Sequence, residues 1–296
     1  MIKRGEGPWP SGNSEELVRQ WFVERIAPGV EEDERSSVWS LCVDRLTGKT
    51  RSERIEADYK FPESVIDKLA VIADDVANER PVQYALGVGH FDGLDFKLKE
   101  GVLIPRPETE ELVHEIVKAV GKKFDGRILD IGTGSGCIAI ALKNRLSMAK
   151  VVGVDVSEDA LTIARLNAKS LQKQVEFQEL DVLRDRPDGE FEVVVSNPPY
   201  IPLNELQSLS ARVAKYEPQL ALFVEDDDPL IFYRRIIELC KTGLLESGGL
   251  LAFECHRDYA SEVEVLLVKD EWFREVELVV DLQGNSRHVI ARSGVN

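Results

Sequence analysis

The sequence predicts an α/β protein in which a small helical domain precedes a doubly wound, mainly parallel sheet. Two observations carry this. From Arg127 onward, short apolar runs alternate with amphipathic segments, the order expected of parallel strands joined by crossover helices. Before about residue 80, the apolar residues fall instead at helical spacing, with no strand-like alternation. The chain has 296 residues, which suits one large domain or two ordinary ones.

Taken in order, Ser14 is placed to cap a helix running through EELVRQWFVERIA, with Glu15 and Glu16 in its first turn and Leu17, Val18, Trp21, Phe22 and Ile26 as its apolar stripe. Pro28-Gly29 ends it. Val38 to Leu46 gives a weaker helix. A stronger one follows Phe61, with Pro62 at its start and Ile66, Leu69, Ala70, Ala73 and Val76 in register before Pro81. Residues 1–80 thus read as a helical domain without a catalytic signature, either a folding cap or a substrate-docking domain. Residues 81–104 carry Gly87, Gly89 and Asp92-Gly93 between short β-prone runs and read as a hairpin connector. Residues 105–296 form the body. Its segments are ILDIG (strand), CIAIALKNRL (helix), VVGVDV (strand), SEDALTIARLNAKSL (helix), VEFQELDV and FEVVVS (strands). Later segments continue the sheet, and REVELVVD and HVIAR are expected as an antiparallel edge pair.

Composition narrows the function. Hydrophobic residues make up 43% and charged residues 30%, ordinary globular usage. No apolar run reaches a membrane span of about 18 residues and the start lacks a signal-peptide core, so a soluble cytoplasmic chain without membrane partners is expected. Lys and Arg total 37 against 53 Asp and Glu, and the net charge of -16 repels phosphate backbones, which disfavours stable nucleic-acid binding. Cys42, Cys137, Cys240 and Cys255 form no CxxC pair, so small buried thiols are expected in place of a disulfide framework or a zinc site.

Three features of the body carry chemistry. The first is Asp130-Ile131-Gly132-Thr133-Gly134-Ser135-Gly136, between a strand and a helix, where glycines let the backbone approach a ligand. The dinucleotide fingerprint fails, because Cys137 stands where its last glycine belongs; the G-x-G-x-G spacing resembles the nucleotide loop of S-adenosylmethionine-dependent methyltransferases. The second is Asp155, which ends the next strand 21 residues beyond Gly134, a place from which a carboxylate accepts hydrogen bonds from both ribose hydroxyls. Asp181, with Val182, follows the third strand and is a candidate acceptor for an adenine amino group; its alternative is a turn aspartate. The third is Asn197-Pro198-Pro199-Tyr200, directly after FEVVVS. An amide nitrogen is a poor nucleophile, and a site that methylates one must orient it. The Asn197 side-chain oxygen and the Pro198 carbonyl can each accept one amide proton, while Pro199 and Tyr200 stiffen the loop and offer a stacking surface.

Across almost the whole chain the sequence resembles the protein-glutamine methyltransferases of the release-factor type, the HemK/PrmC family. The matching stretches are PVQYALG, FDGLDF, LIPRPETEELV, ILDIGTGSG, DVSEDALTIARLNA, SNPPYIP, YEPQLALF and DLQGNSRHVIAR. The resemblance implies a class I methyltransferase sheet, S-adenosylmethionine as methyl donor with S-adenosylhomocysteine as product, and methylation of the glutamine amide in the Gly-Gly-Gln loop of peptide chain release factors. It further implies that Gly132 to Gly136 line the methionine and ribose, that Asp155 binds the ribose, that Asp181 and Val182 flank the adenine, and that Asn197 to Tyr200 hold the glutamine. Arg106, Glu108 and Thr109 would shape the site beside the methionine end. The segment FECHRDY departs from the family pattern, so nothing is assigned to Cys255 or His256, and Glu225 to Asp228 reads as a solvated loop. The competing readings are a glutamine methyltransferase acting on a ribosomal protein, an adenine-specific nucleic-acid methyltransferase, and a non-catalytic module that binds the cofactor and a release factor. An adenine enzyme needs a basic groove and a target-reading domain, and neither is evident in this sequence.

Overall fold

The computed structural model describes residues 5–294, and its chain falls into two units: one of residues up to 87 together with 210–216, the other of residues 88–209 and 217–294.

The first unit is helical. It contains α1 (Glu15–Ile26), α2 (Arg35–Thr47), α3 (Arg51–Glu56), α4 (Glu63–Ala77) and α5 (Val82–Leu86). Ser14 accepts from the Leu17 N–H as the cap of α1. Val18, Trp21, Phe22 and Ile26 of α1 pack on Trp39, Cys42 and Val43 of α2 and on Leu69, Ala73 and Val76 of α4. Truncating the fully buried Phe22 to Ala would cost about 3 to 5 kcal/mol. Two helices escape the periodicity criterion because they are short. α3 is set by a reciprocal capping box between Thr50 and Glu53, and α5 occupies PVQYAL, where a connector was expected. Arg54 of α3 is buried, its guanidinium held by Glu15, Asp44 and the Lys49 carbonyl. Residues 210–216 bring a further helix to this unit; Arg212 of that segment pairs with Glu34 and donates to the Gly29 carbonyl, and the Tyr216 hydroxyl donates to the Asn78 carbonyl.

The second unit opens with a hairpin, β1 (Val88–Phe91) and β2 (Leu94–Lys97), turned at Asp92-Gly93 with both residues at positive φ. There follow α6 (Pro107–Val120), β3 (Arg127–Ile131), α7 (Cys137–Arg145), β4 (Lys150–Asp155), α8 (Glu158–Ser170), β5 (Val175–Glu179) and β6 (Phe191–Ser196). α6 has a proline at its first position and acids in its first turn, start signals that lie outside the strand–helix alternation beginning at Arg127. The segment after β6 holds β7 (Ile201–Pro202), a 3-10 turn, α9 (Ala211–Tyr216, the helix counted with the first unit), α10 (Gln219–Leu222) and β8 (Phe223–Val224). The chain closes with α11 (Ile231–Leu239), β9 (Leu245–Glu254), α12 (Ala260–Val268), β10 (Phe273–Val280) and β11 (Ser286–Ser293).

The seven-stranded sheet has the order β10-β11-β9-β6-β3-β4-β5. All pairs from β9 to β5 are parallel, and β11 is antiparallel to both its neighbours. The expected edge pair is therefore antiparallel, but only β10 is an edge; β11 is interior, which suits its apolar run Val289-Ile290-Ala291. Two register breaks interrupt β10, and Glu275 within it has a φ of 50°. One face of the sheet is covered by α6, α7 and the hairpin, through Leu112, Ile116, Ile140, Phe91 and Phe96. The other is covered by α11 and α12, through Tyr233, Ile236, Val263 and Leu267. Strand order reverses between β3 and β6, which opens a crevice beyond their carboxyl ends, the place where open α/β sheets receive ligands.

Candidate active site

The glycine loop leaves β3 and turns sharply into α7. Gly132, Gly134 and Gly136 have φ values of 75°, 56° and 80°, a region that side-chain-bearing residues rarely enter. The curl is pinned from below. The N–H groups of Gly132 and Thr133 both donate to the Val154 carbonyl, at 2.9 and 3.0 Å. Thr133 Oγ1 and the Ala139 N–H both donate to Asp130 Oδ2, at 2.6 and 3.2 Å. Asp130 is fully buried with Oδ1 unpartnered, and burial pushes its carboxyl up to about 7.

Asp155, at the end of β4, joins this loop to the next. Its Oδ2 accepts from the Gly134 N–H at 2.8 Å and its Oδ1 from the Ser157 N–H at 2.9 Å. Burial raises its pKa, and those backbone donors oppose the rise. Asp181 is a turn aspartate, its Oδ1 accepting from the Leu183 N–H at 3.0 Å, and it lines the crevice beside Val182.

From β6, Ser196 Oγ donates to the Ile131 carbonyl at 2.7 Å and locks the ends of β3 and β6 together. A Cβ placed on Gly132 would stand 3.8 Å from the Asn197 carbonyl oxygen, so the two loops are immediate neighbours. Asn197 Nδ2 donates to Thr109 Oγ1 at 3.2 Å, and Thr109 Oγ1 donates to Glu254 Oε2 at 2.6 Å. The Tyr200 hydroxyl points at Glu254 Oε1 at 3.4 Å. Burial pushes the Glu254 carboxyl up, opposed by the Thr109 hydrogen bond, by Arg287 and by Tyr200.

These residues wall a cavity of about 250 Å³. The wall includes Gly132, Thr133, Gly134, Ser135, Asp155, Asp181, Val182, Asn197, Pro198 and Pro199, with Arg106 and Thr109 at one side and Pro218, Leu220 and Phe232 at another. Three residues singled out from the sequence stand off the wall. Gly136 lies behind it, packed near Ala164, Ile140 and Phe177. Tyr200 tilts toward His256 at 5.9 Å. Glu108 accepts from Gln283 Nε2 and gives its carbonyl to His288. The wall leaves open space over Gly134 and presents the Asp155 carboxylate and an apolar flank at Val182.

A family model described as Methyltransferase small domain matches residues 109–215. A relative from Bacteroides thetaiotaomicron, named Release factor glutamine methyltransferase, is 46% identical over 213 residues, 71% of this chain and 75% of the relative. One of the same name from Flavobacterium psychrophilum is 38% identical over 276 residues, 92% of this chain and 96% of the relative. The chain belongs to the release factor glutamine methyltransferase family. Among solved structures, a methyltransferase from Pyrococcus furiosus has the same fold, with a TM-score of 0.51 at 20% identity over 69% of this chain and 90% of that one.

In this family member two acids of the site escape a reading of the sequence. Glu217, buried, pairs with Arg106 and accepts from the Ile104 N–H, so that YEPQLAL and IPRPETE meet at the cavity rim. Glu254 ends an apolar strand, the criterion that selected Asp155, and was findable on that ground. Cys255 is buried and His256 lies 3.6 Å from Glu205. The acidic run forms a turn in which Asp228 pairs with Arg234 and Asp226 accepts from the Asn204 N–H. Among the described residues no helix is long and apolar enough to cross a membrane.

Proposed function

We propose that this chain transfers a methyl group from S-adenosylmethionine to the side-chain amide nitrogen of the glutamine in the Gly-Gly-Gln motif of peptide chain release factors. One observation supports it above the rest: Gly132 to Ser135 of the glycine loop, Asp155 and Asn197-Pro198-Pro199 share one cavity wall at the point where strand order reverses. Gly132 to Ser135, Asp155, Asp181 and Val182 would hold the cofactor, with Gly136 shaping the turn from behind; the cofactor supplies an electrophilic methyl on a sulfonium centre. The chain's own contribution is orientation. Asn197 Oδ1 and the Pro198 carbonyl each accept one proton of the substrate amide, which aims the nitrogen lone pair away from both acceptors and toward the methyl donor. Pro198 and Pro199 restrict the backbone that presents these acceptors, and the apolar wall strips water from the amide. As the N–C bond forms and the C–S bond breaks, one amide proton is lost to an acceptor or to solvent.

We read residues 1–80 as the docking domain for the protein substrate. The net charge of -16 suits a neutral or basic partner surface better than a nucleic acid.

The decisive experiment is single-turnover methylation of a Gly-Gly-Gln peptide at saturating S-adenosylmethionine by Asn197→Ala. Cofactor affinity should stay close to wild type while the rate falls on the order of a hundred- to a thousandfold, a loss of about 3 to 4 kcal/mol of transition-state stabilisation. A near wild-type rate would reduce the tetrapeptide to a structural turn. Transfer to a ribosomal-protein glutamine or to DNA in place of the release factor would replace the substrate assignment.

A further inference from the structure

The proposed chemistry requires Asn197 to show its oxygen, not its nitrogen, to the substrate. An asparagine carboxamide is nearly symmetric in shape, so something must decide which end faces the cavity. We infer that Thr109 and Glu254 make that decision, acting as positioning residues for methyl transfer. This inference rests on the reading that Asn197 accepts a proton from the substrate amide.

Proton counting supplies the direction. Both Glu254 oxygens are met by hydroxyl donors, Thr109 Oγ1 on Oε2 and Tyr200 on Oε1, and Arg287 opposes the effect of burial. In the carboxylate form that these partners favour, Glu254 has no proton to give, so the 2.6 Å contact commits the single hydroxyl proton of Thr109 to it. The threonine oxygen is then only an acceptor toward its other neighbour. That neighbour is Asn197, 3.2 Å away, and only its Nδ2 end carries protons. Nδ2 is thereby held on Thr109, and Oδ1 is left for the cavity that Asn197 lines. The flipped amide would set two oxygens against each other with no proton between them.

The surroundings make this a constraint and not a preference. Thr109 and Glu254 are only 2% and 1% exposed, so solvent has no ready access to substitute for a lost partner. The three side chains come from the first turn of α6, the residue directly after β6 and the end of β9, all within one unit. Glu254 also faces the Tyr200 hydroxyl through its second oxygen, so one carboxylate reaches both ends of the tetrapeptide.

The test uses the full chain, a Gly-Gly-Gln peptide and three variants, with S-adenosylmethionine affinity from calorimetry and thermal melting as a check on folding. Thr109→Val keeps the shape and removes the hydroxyl; Thr109→Ser restores it. Glu254→Gln retains volume but lets the amide donate to Thr109, which frees the threonine proton for Asn197 and permits the flip. Thr109→Val and Glu254→Gln should lower kcat about ten- to a hundredfold with peptide KM and cofactor affinity nearly unchanged, and Thr109→Ser should recover most of the rate. The side-chain amide resonance of Asn197, identified by its loss in Asn197→Ala, should shift in Thr109→Val and stay in place in Thr109→Ser. Near wild-type kcat in both Thr109→Val and Glu254→Gln, with Asn197→Ala inactive, overturns the inference alone. Equal losses in the valine and serine variants, with the Asn197 resonance unmoved, assign Thr109 to packing and also overturn it. Full activity of Asn197→Ala strikes instead at the function proposed above. Should Thr109→Val fail to fold, Glu254→Gln with its kcat-against-KM split decides the matter.

Discussion

His288 lies fully buried in β11, with Nε2 donating to the Glu108 carbonyl at 3.0 Å and Nδ1 without a partner. Burial lowers its pKa from 6.5 to about 4, because a second proton on the ring would be enclosed with no acceptor. The unfolded chain therefore binds this proton more readily than the folded one. Stability is intact above about pH 6.5 and is lost as pH falls toward 4. Asp130 works in the opposite sense. Its carboxyl is raised from 3.8 to about 7, so its contribution is largest at low pH and fades as pH rises through 7. The two effects offset one another in the wild type, and a variant separates them. Between pH 7.5 and 5.5 the His288 term amounts to about 1 kcal/mol. Urea unfolding of wild type and His288→Asn at both pH values should show the wild type losing about that much more than the variant on acidification. Parallel losses would mean that His288 takes up its proton in the fold as freely as in water.

At the scale of elements, the loop between β3 and α7 is the most constrained. Gly136 needs its φ of 80°, and a Cβ there would come within 3.1 to 3.2 Å of Ala164, Ile140 and Phe177. Gly136→Ala should destabilise the protein by about 1 to 3 kcal/mol and weaken S-adenosylmethionine binding through displacement of the whole turn. Thermal melting and calorimetry check the two effects separately; an unchanged melting temperature would show that the turn can relax. This loop was legible in the sequence because glycine at every second position, between a strand and a helix, marks a backbone that must curl tightly and leave room for a ligand. The long helices were legible for the same kind of reason: α1, α4 and α8 bury one apolar stripe each. α3 and α5 were not, since five or six residues cannot display a period of 3.6 and their ends are fixed by a capping box and by Gly87. The position of β11 was hidden for another reason: its run announces a strand, but partner choice depends on β9, more than thirty residues earlier. The Thr109–Glu254 contact joins residues 145 apart in the chain, and no local pattern reports such a meeting.

At the scale of the whole molecule, residues 210–216 belong with the helical unit, so a truncation that tests substrate docking must remove them too. A chain lacking residues 1–87, with 210–216 replaced by a short glycine-rich linker, should retain methylation of a Gly-Gly-Gln peptide while losing at least about tenfold more in kcat/KM on an intact release factor. Circular dichroism establishes that the shortened chain is folded, and equal losses on both substrates would make the helical unit a stabilising cap. The open sheet has a further consequence, for solubility. Seven strands leave two rows of unpaired backbone groups, each a template on which a second molecule could add a strand. At one border stands β5, only five residues long and carrying Glu176 and Glu179; at the other stands β10, broken twice in register, with Arg274, Glu275 and Glu277 along it. Interior strands such as Val193-Val194-Val195 would aggregate readily if they were placed outermost. The order of strands thus keeps the most adhesive segments in the middle and closes both borders to polymerisation with charge and irregularity.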